Sequence, residues 1–354
     1  MIAKLIGTAA LGAATFLLAE LPARGAETTE RPFGVVDLHV DLSYEHNYKG
    51  HAFAEGTGQF RAAELERAGV VGVVLPLYVP RRASPIGPRL TDFEGSYEKV
   101  YGALAATSPY RLPGCVPRRG GVRTWLAFEG VGALAGDAWI DVNGTRMPAS
   151  LLAWAARGLR VLGPVHAWAN ELASSSGDAK PADFGLTPRG RELVRAASRL
   201  GIAVDVSHAS DRATREILAL AAEGGAPVVA THSNARALSD HPRNLADAEL
   251  RAIAKTGGVV GVNFHSAFVT RRSPATLADV VLQVKHLVRV MGVRHVAIGS
   301  DFEGEIRPPA ELSDVHGYQR LARALLASGL SRSDVEAVLA TNALRVLCAR
   351  GDKD

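Results

Sequence analysis

Apolar and polar positions along the chain follow two alternating periods. Short apolar runs rich in Val, Leu and Ile recur at 33–39, 69–77, 123–129, 159–165, 202–207, 226–231, 258–264 and 295–300. Runs of this length between turn residues predict strands buried on both faces. Segments with a helical apolar period separate most of them: Arg61 to Ala68, Thr187 to Leu200, Asp211 to Ala222, Asp247 to Lys255 and Leu277 to Met291. In the second, Thr187 is placed to cap, Pro188 to take the first turn and Gly201 to end the helix, with Leu193, Val194, Ala197 and Leu200 on one face. Two further helices are expected at 314–327 and 332–349, the latter opened by Ser331-Arg332-Ser333-Asp334. Eight strands, most of them separated by helices, predict an α/β fold, a distorted (β/α)8 (TIM-like) barrel with extra loops and C-terminal helices. A doubly wound open sheet is the alternative, but no Gly-rich phosphate loop follows the first run. The proline-rich stretch 83–121 is expected to carry one helix and a loop over the barrel mouth.

The N-terminus changes the domain picture. Lys4 precedes an uncharged apolar core from Leu5 to Ala19, and Pro22, Ala23, Gly25 and Ala26 form a cleavage zone. The core is short for a membrane span. Residues 1–25 are therefore expected to be a cleaved signal peptide, and 26–354 a single barrel domain, exported to the periplasm or the medium. Net charge is +4, but the arginines are scattered and form no basic stripe, so nucleic acid is not an expected partner. The only cysteines, Cys115 and Cys348, leave their pairing open. They do not form the clustered pairs of a thiolate zinc site, so any metal must be held by His and carboxylate.

Active sites in such barrels lie where the strands end. The first run ends in His39-Val40-Asp41, and side chains at i and i+2 of a strand leave one face. The later ends read Phe128-Glu129-Gly130, Val165-His166, Ser207-His208, Thr231-His232, Phe264-His265 and Ser300-Asp301. Five of the 11 histidines, His39 included, fall at strand ends, which scattered surface histidines would not do. Imidazole and carboxylate are ordinary zinc ligands, and a carboxylate such as Glu129 can bridge two ions. A two-ion site activates water at neutral pH and clamps a developing oxyanion. Asp301 is placed to move the water proton, and Arg243, 11 residues after His232, to fork onto a substrate carboxylate. Arg243 could instead pair with Asp240 or Asp247, His166 could be a buried ring bonded to backbone, and His241 and His265 read as supporting or surface residues.

The motifs resemble those of the membrane (renal) dipeptidases and their bacterial relatives over about 310 residues, Val35 to Val346, within the metal-dependent amidohydrolase-type barrels. The carriers are D-L-H-V-D-L, the run from G-L-T-P-R-G to D-V-S-H, A-T-H-S-N-A-R-A-L-S-D-H-P-R-N-L, I-G-S-D-F-E-G and T-N-A-L-R-V. The resemblance implies a zinc dipeptidase holding two Zn2+ per chain, with Mn2+ or Co2+ also accepted by such ligands. It implies His39 and Asp41 on one ion, His208 and His232 on the other, and Glu129 bridging. It further implies His166 on the substrate carbonyl oxygen, Arg243 on the C-terminal carboxylate and Asp301 as the proton carrier. Dipeptides, including those with a D-residue second, are then the expected partners, with no membrane span in the mature chain and a homodimer left open. Two other readings keep the barrel: a metal-dependent hydrolase of lactones, amides or phosphoesters, and a non-catalytic binding protein. Val40 stands where many relatives carry Asn, and the segment after His166 matches only loosely.

Overall fold

The computed structural model describes residues 31–80, 87–111, 115, 120–177, 184–223 and 225–349. The expected signal peptide lies outside them. All eight apolar runs form parallel strands: β1 (Val35–Asp37), β2 (Val70–Tyr78), β3 (Val122–Glu129), β4 (Leu159–Gly163), β5 (Ala203–Asp205), β6 (Val228–Val229), β7 (Val260–Val262) and β8 (Val296–Ile298). Each pairs with its sequence neighbour except β6 with β7, and β8 returns to β1 through Asp37 and Ile298. Only a bridge between Ala230 and Val260 joins β6 to β7, with Gly261 N–H donating to Ala230 O at 2.8 Å. The result is the expected (β/α)8 barrel, nearly closed and irregular on its second half.

Two layers of apolar packing follow from the strand period. Val36, Val74, Trp125, Ala127, Val161, Ala203, Val229, Val259 and Ala297 face inward and fill the barrel. Ala343, Val346 and Leu347 of the last helix join that same cluster and plug its lower end. Asn342 fixes the plug by donating to Val293 O at 2.7 Å and Val296 O at 2.8 Å, and Arg345 by donating to Gly257 O at 2.6 Å and Arg294 O at 2.8 Å. The T-N-A-L-R-V motif is thus a clamp on the strand starts, far from the chemistry.

The outer helices match the periodic segments closely. Pro188–Arg199 is capped by Thr187, whose hydroxyl accepts from Gly190 N–H at 3.0 Å, and Gly201 follows in the left-handed region. Asp211–Ala222, Asp247–Lys255 and Leu277–Met291 form with the expected bounds. Three expectations need correction. Arg61 to Ala68 is only a 3-10 turn, Ala62–Glu64, followed by turn residues: Ala62, Leu65 and Ala68 are buried, but eight residues are too few to nucleate a regular helix. The helix expected at 314–327 begins at Gly317, and the 332–349 helix widens into a π turn at Ala337–Thr341 that swings Asn342 onto its two carbonyls. In the proline-rich stretch the expected helix spans Leu90–Ala106.

Cys115 and Cys348 are joined, closing a separation of 233 residues beside the barrel plug. Constraining so long a loop limits the unfolded chain. The Cys348→Ser variant should lose about 2–4 kcal/mol of stability in urea unfolding without reductant. An unchanged midpoint would show that the bridge contributes nothing.

Candidate active site

Three strand ends turn outward by the same local device. Asp37 accepts from His39 N–H at 2.9 Å, Asp205 from Ser207 N–H at 3.0 Å, and Asn263 from His265 N–H at 2.6 Å. A side-chain acceptor two residues before the turn breaks the ladder and tips the next residues into the barrel mouth. Asp37, fully buried, also takes Ser300 N–H at 3.0 Å and the Tyr318 hydroxyl at 2.6 Å. That carboxylate ties the end of β1 to the end of β8. Beyond it Asp301 N–H donates to His39 O at 3.1 Å and Asp41 N–H to Phe302 O at 2.9 Å, which sets His39, Asp41 and Asp301 side by side.

The predicted residues converge. His39 Nε2 lies 3.6 Å from Asp41 Oδ2 and 3.8 Å from Glu129 Oε2. His208 Nε2 is 2.9 Å and His232 Nε2 3.7 Å from Glu129 Oε1, and the two ring nitrogens are 3.0 Å apart. His166 Nε2 approaches Glu129 Oε2 at 3.8 Å, and its Nδ1 has no hydrogen-bond partner, so the ring is not held by backbone. Arg243 is 7% exposed, with Nη2 at 3.2 Å from His208 Nε2 and Nη1 unpartnered. Asp247 pairs with His286 at 2.8 Å instead. His241 accepts from Arg243 N–H at 3.1 Å and His265 from Arg307 N–H at 3.1 Å, so both shape the loops around the mouth. The five candidate ligands, with His166, Arg243, His265 and Asp301, line a cavity of about 350 Å3 together with Tyr44, Tyr78, Phe268 and Ile306. A second cavity of about 630 Å3 shares Tyr78 and His166 with it and runs out past Leu90 and Trp168.

Charge in this cavity is poorly accommodated by the protein alone. Burial first, then neighbouring carboxylates, hold Asp41 and Glu129 well above the usual carboxylate range. Burial pushes Asp301 up to about 7, against the donated N–H of Asn263 at 2.9 Å and the field of Arg243. Burial, and then Arg243 and the other rings, hold His39, His208 and His232 well below 6.5, and His166 falls to about 3. The imidazoles are therefore neutral, the ligating form. His208 and His232 point ring nitrogens at one another and at a Glu129 oxygen that lacks any hydrogen-bond partner. Such facing acceptors fit a divalent cation. The donors fall into overlapping triples: His39, Asp41 and Glu129; Glu129, His208 and His232; and His39, His232 and Asp301.

Backbone strain sits beside them. Asp301, Glu303 and Glu305 all take positive φ, +67°, +68° and +59°, uncommon for residues other than glycine. A Cβ on Gly304 would stand 2.6 Å from Asp41 Oδ2 and 2.7 Å from Asp301 Oδ1, so only glycine lets this coil press on both carboxylates. Asp37, Asp205, Asn263 and Thr231 are the supporting residues that strand-end reasoning did not select. Their signal was available as a polar residue at the strand end or just before it.

Known proteins share the sequence pattern and the fold of this chain. Residues 24–351 match the model of the membrane dipeptidase family, peptidase family M19. An uncharacterised protein from the pqqA 5′ region of Klebsiella pneumoniae is 42% identical over 205 residues, 56% of this chain and 74% of that protein. An uncharacterised dipeptidase of Schizosaccharomyces pombe is 34% identical over 230 residues, 64% of this chain and 53% of the relative. Among solved structures, a metallopeptidase from Rhodobacter sphaeroides bound to a phosphinate mimic of the dipeptide L-Ala-D-Ala superposes with a TM-score of 0.73 at 25% identity, covering 89% of this chain and 99% of that one. With a family match that runs through every strand end described above, the chain belongs to the membrane dipeptidases, metal-dependent hydrolases of peptidase family M19.

Proposed function

We propose that the protein is an exported binuclear zinc dipeptidase, acting on dipeptides with a free C-terminal carboxylate and accepting a D-residue in the second position. The observation that carries the reading is Glu129, which belongs both to the triple with His39 and Asp41 and to the triple with His208 and His232. A carboxylate shared between two donor sets is the arrangement two ions need. When bound, the ions supply Lewis acidity and lower the pKa of water.

The chain's own residues do the rest. Arg243, buried with one Nη free of partners, takes the substrate carboxylate in a charge-assisted fork. His166 reaches the carbonyl oxygen of the scissile bond from the opposite wall, where its ring packs 4.1 Å from Tyr78. Asp301, steadied by Asn263, accepts the proton of the attacking water and returns it to the leaving amine. The D-residue preference draws on the L-Ala-D-Ala mimic held by the Rhodobacter sphaeroides relative. Export draws on the N-terminal Lys4 and apolar core and on the Cys115–Cys348 bridge, since disulfides persist in oxidising compartments.

The test is a dipeptide panel, with L- and D-residues second, assayed alongside metal analysis. Purified protein should carry about two zinc ions per chain and lose turnover on chelation, with zinc restoring it. Turnover that survives complete metal removal would overturn the reading.

A further inference from the structure

Thr231 stands between the two donor sets and is assigned no role by the reading above. It is 1% exposed, and its hydroxyl packs against Asp205 Oδ2, 2.8 Å from His232 Nδ1 and 3.2 Å from His39 Nδ1. A hydroxyl has one hydrogen to donate and two lone pairs with which to accept. A carboxylate oxygen accepts, so the hydrogen goes to Asp205. Both lone pairs then face ring nitrogens, and each of those nitrogens must bring its own hydrogen. Ser207 Oγ, 3.3 Å away, does not compete. Its hydrogen goes to Asp205 Oδ1 at 2.7 Å, and it accepts His232 N–H at 3.1 Å.

We propose that Thr231, anchored by Asp205, is a positioning residue that sets the tautomer of His39 and His232 together, so that one hydroxyl serves both halves of the metal centre. With Nδ1 protonated, a neutral imidazole leaves Nε2 bare. In both rings Nε2 is the atom that lies near Glu129, at 3.8 Å and 3.7 Å. The two triples therefore share a second residue besides Glu129. His208 and His166 lie outside this control, since neither Nδ1 has a hydrogen-bond partner.

The proposal rests on the metal-binding reading above, and the experiment separates the two. Metal-free full-length protein is titrated with Co2+, whose visible absorption reports its ligands, for wild type, Thr231→Val and Thr231→Ser, with circular dichroism to check folding. Thr231→Val keeps the shape and removes the hydroxyl; it should weaken both cobalt equivalents about 10- to 100-fold. Thr231→Ser should restore wild-type affinity and spectrum. Wild-type affinity in Thr231→Val, weakening of one equivalent alone, or a serine variant as poor as valine would each overturn the shared role. Long-range 1H–15N spectra of the metal-free wild type need no variant of Thr231. Assigned through His39→Gln and His232→Gln, they should show both rings protonated at Nδ1, and either ring in the other form would overturn the proposal. Wild-type protein that takes up no cobalt would instead sink the metal reading, leaving the tautomers to judge Thr231.

Discussion

The Glu129→Ala variant should lose the metal centre and, with it, kcat/KM towards dipeptides by more than about 10³-fold. Glu129 is the only residue common to the two donor triples that hold Asp41 on one side and His208 on the other. In the proposed two-ion arrangement its removal would take a ligand from both ions at once, whereas loss of Asp41 or His208 would take one from a single ion. The fold should survive. Glu129 is buried, with its carboxyl held well above the usual range, so the metal-free protein gains little from keeping it. Metal content by mass spectrometry, thermal melting of the metal-free forms and dipeptide turnover give three independent readings. A variant that keeps both its metal and its activity would remove Glu129 from the centre.

Arg243→Ala should act on the substrate rather than the metal. Losing one partner of a buried charge pair costs roughly 2–5 kcal/mol, so kcat/KM for dipeptides should fall by about 10²- to 10³-fold, mainly through KM. Dipeptide amides, which lack the carboxylate, should already be poor substrates of the wild type and should change little in the variant. Arg243 Nη2 also lies 3.2 Å from His208 Nε2, so metal content has to be measured alongside. Equal losses on dipeptides and their amides would mean that Arg243 supports His208 and does not read the carboxylate.

The barrel was legible because its strands are buried on both faces and so appear as unbroken apolar runs, a signal that survives even where the ladder is short. The run at 226–231 is a two-residue strand, Val228–Val229, yet its position in the barrel is the expected one. The hairpin Trp139–Val142 with Thr145–Pro148 was missed, since strands of four residues give too little alternation. Asn143-Gly144 at its turn, both at positive φ, was the better signal. In the site, residue type and strand-end position together selected the side chains that converge on Glu129. Neither property could tell whether Arg243 faced Asp247 or the cavity, because that depends on how one loop folds back. Support residues such as Asp37 and Thr231 were hidden for another reason: an aspartate or threonine in an apolar run looks like an interruption until its donors are seen.

Asp37 carries one more consequence. It holds His39 from one end of the chain and Ser300, 263 residues later, from the other. Contacts that far apart in sequence form late, after the entropy of closing the intervening loops has been met. Asp301 is placed by that closure, and His39 and Asp41 reach their final geometry only with it. Metal capture is therefore expected to depend on barrel closure: a chain in which β8 has not reached β1 carries every candidate ligand without bringing them together.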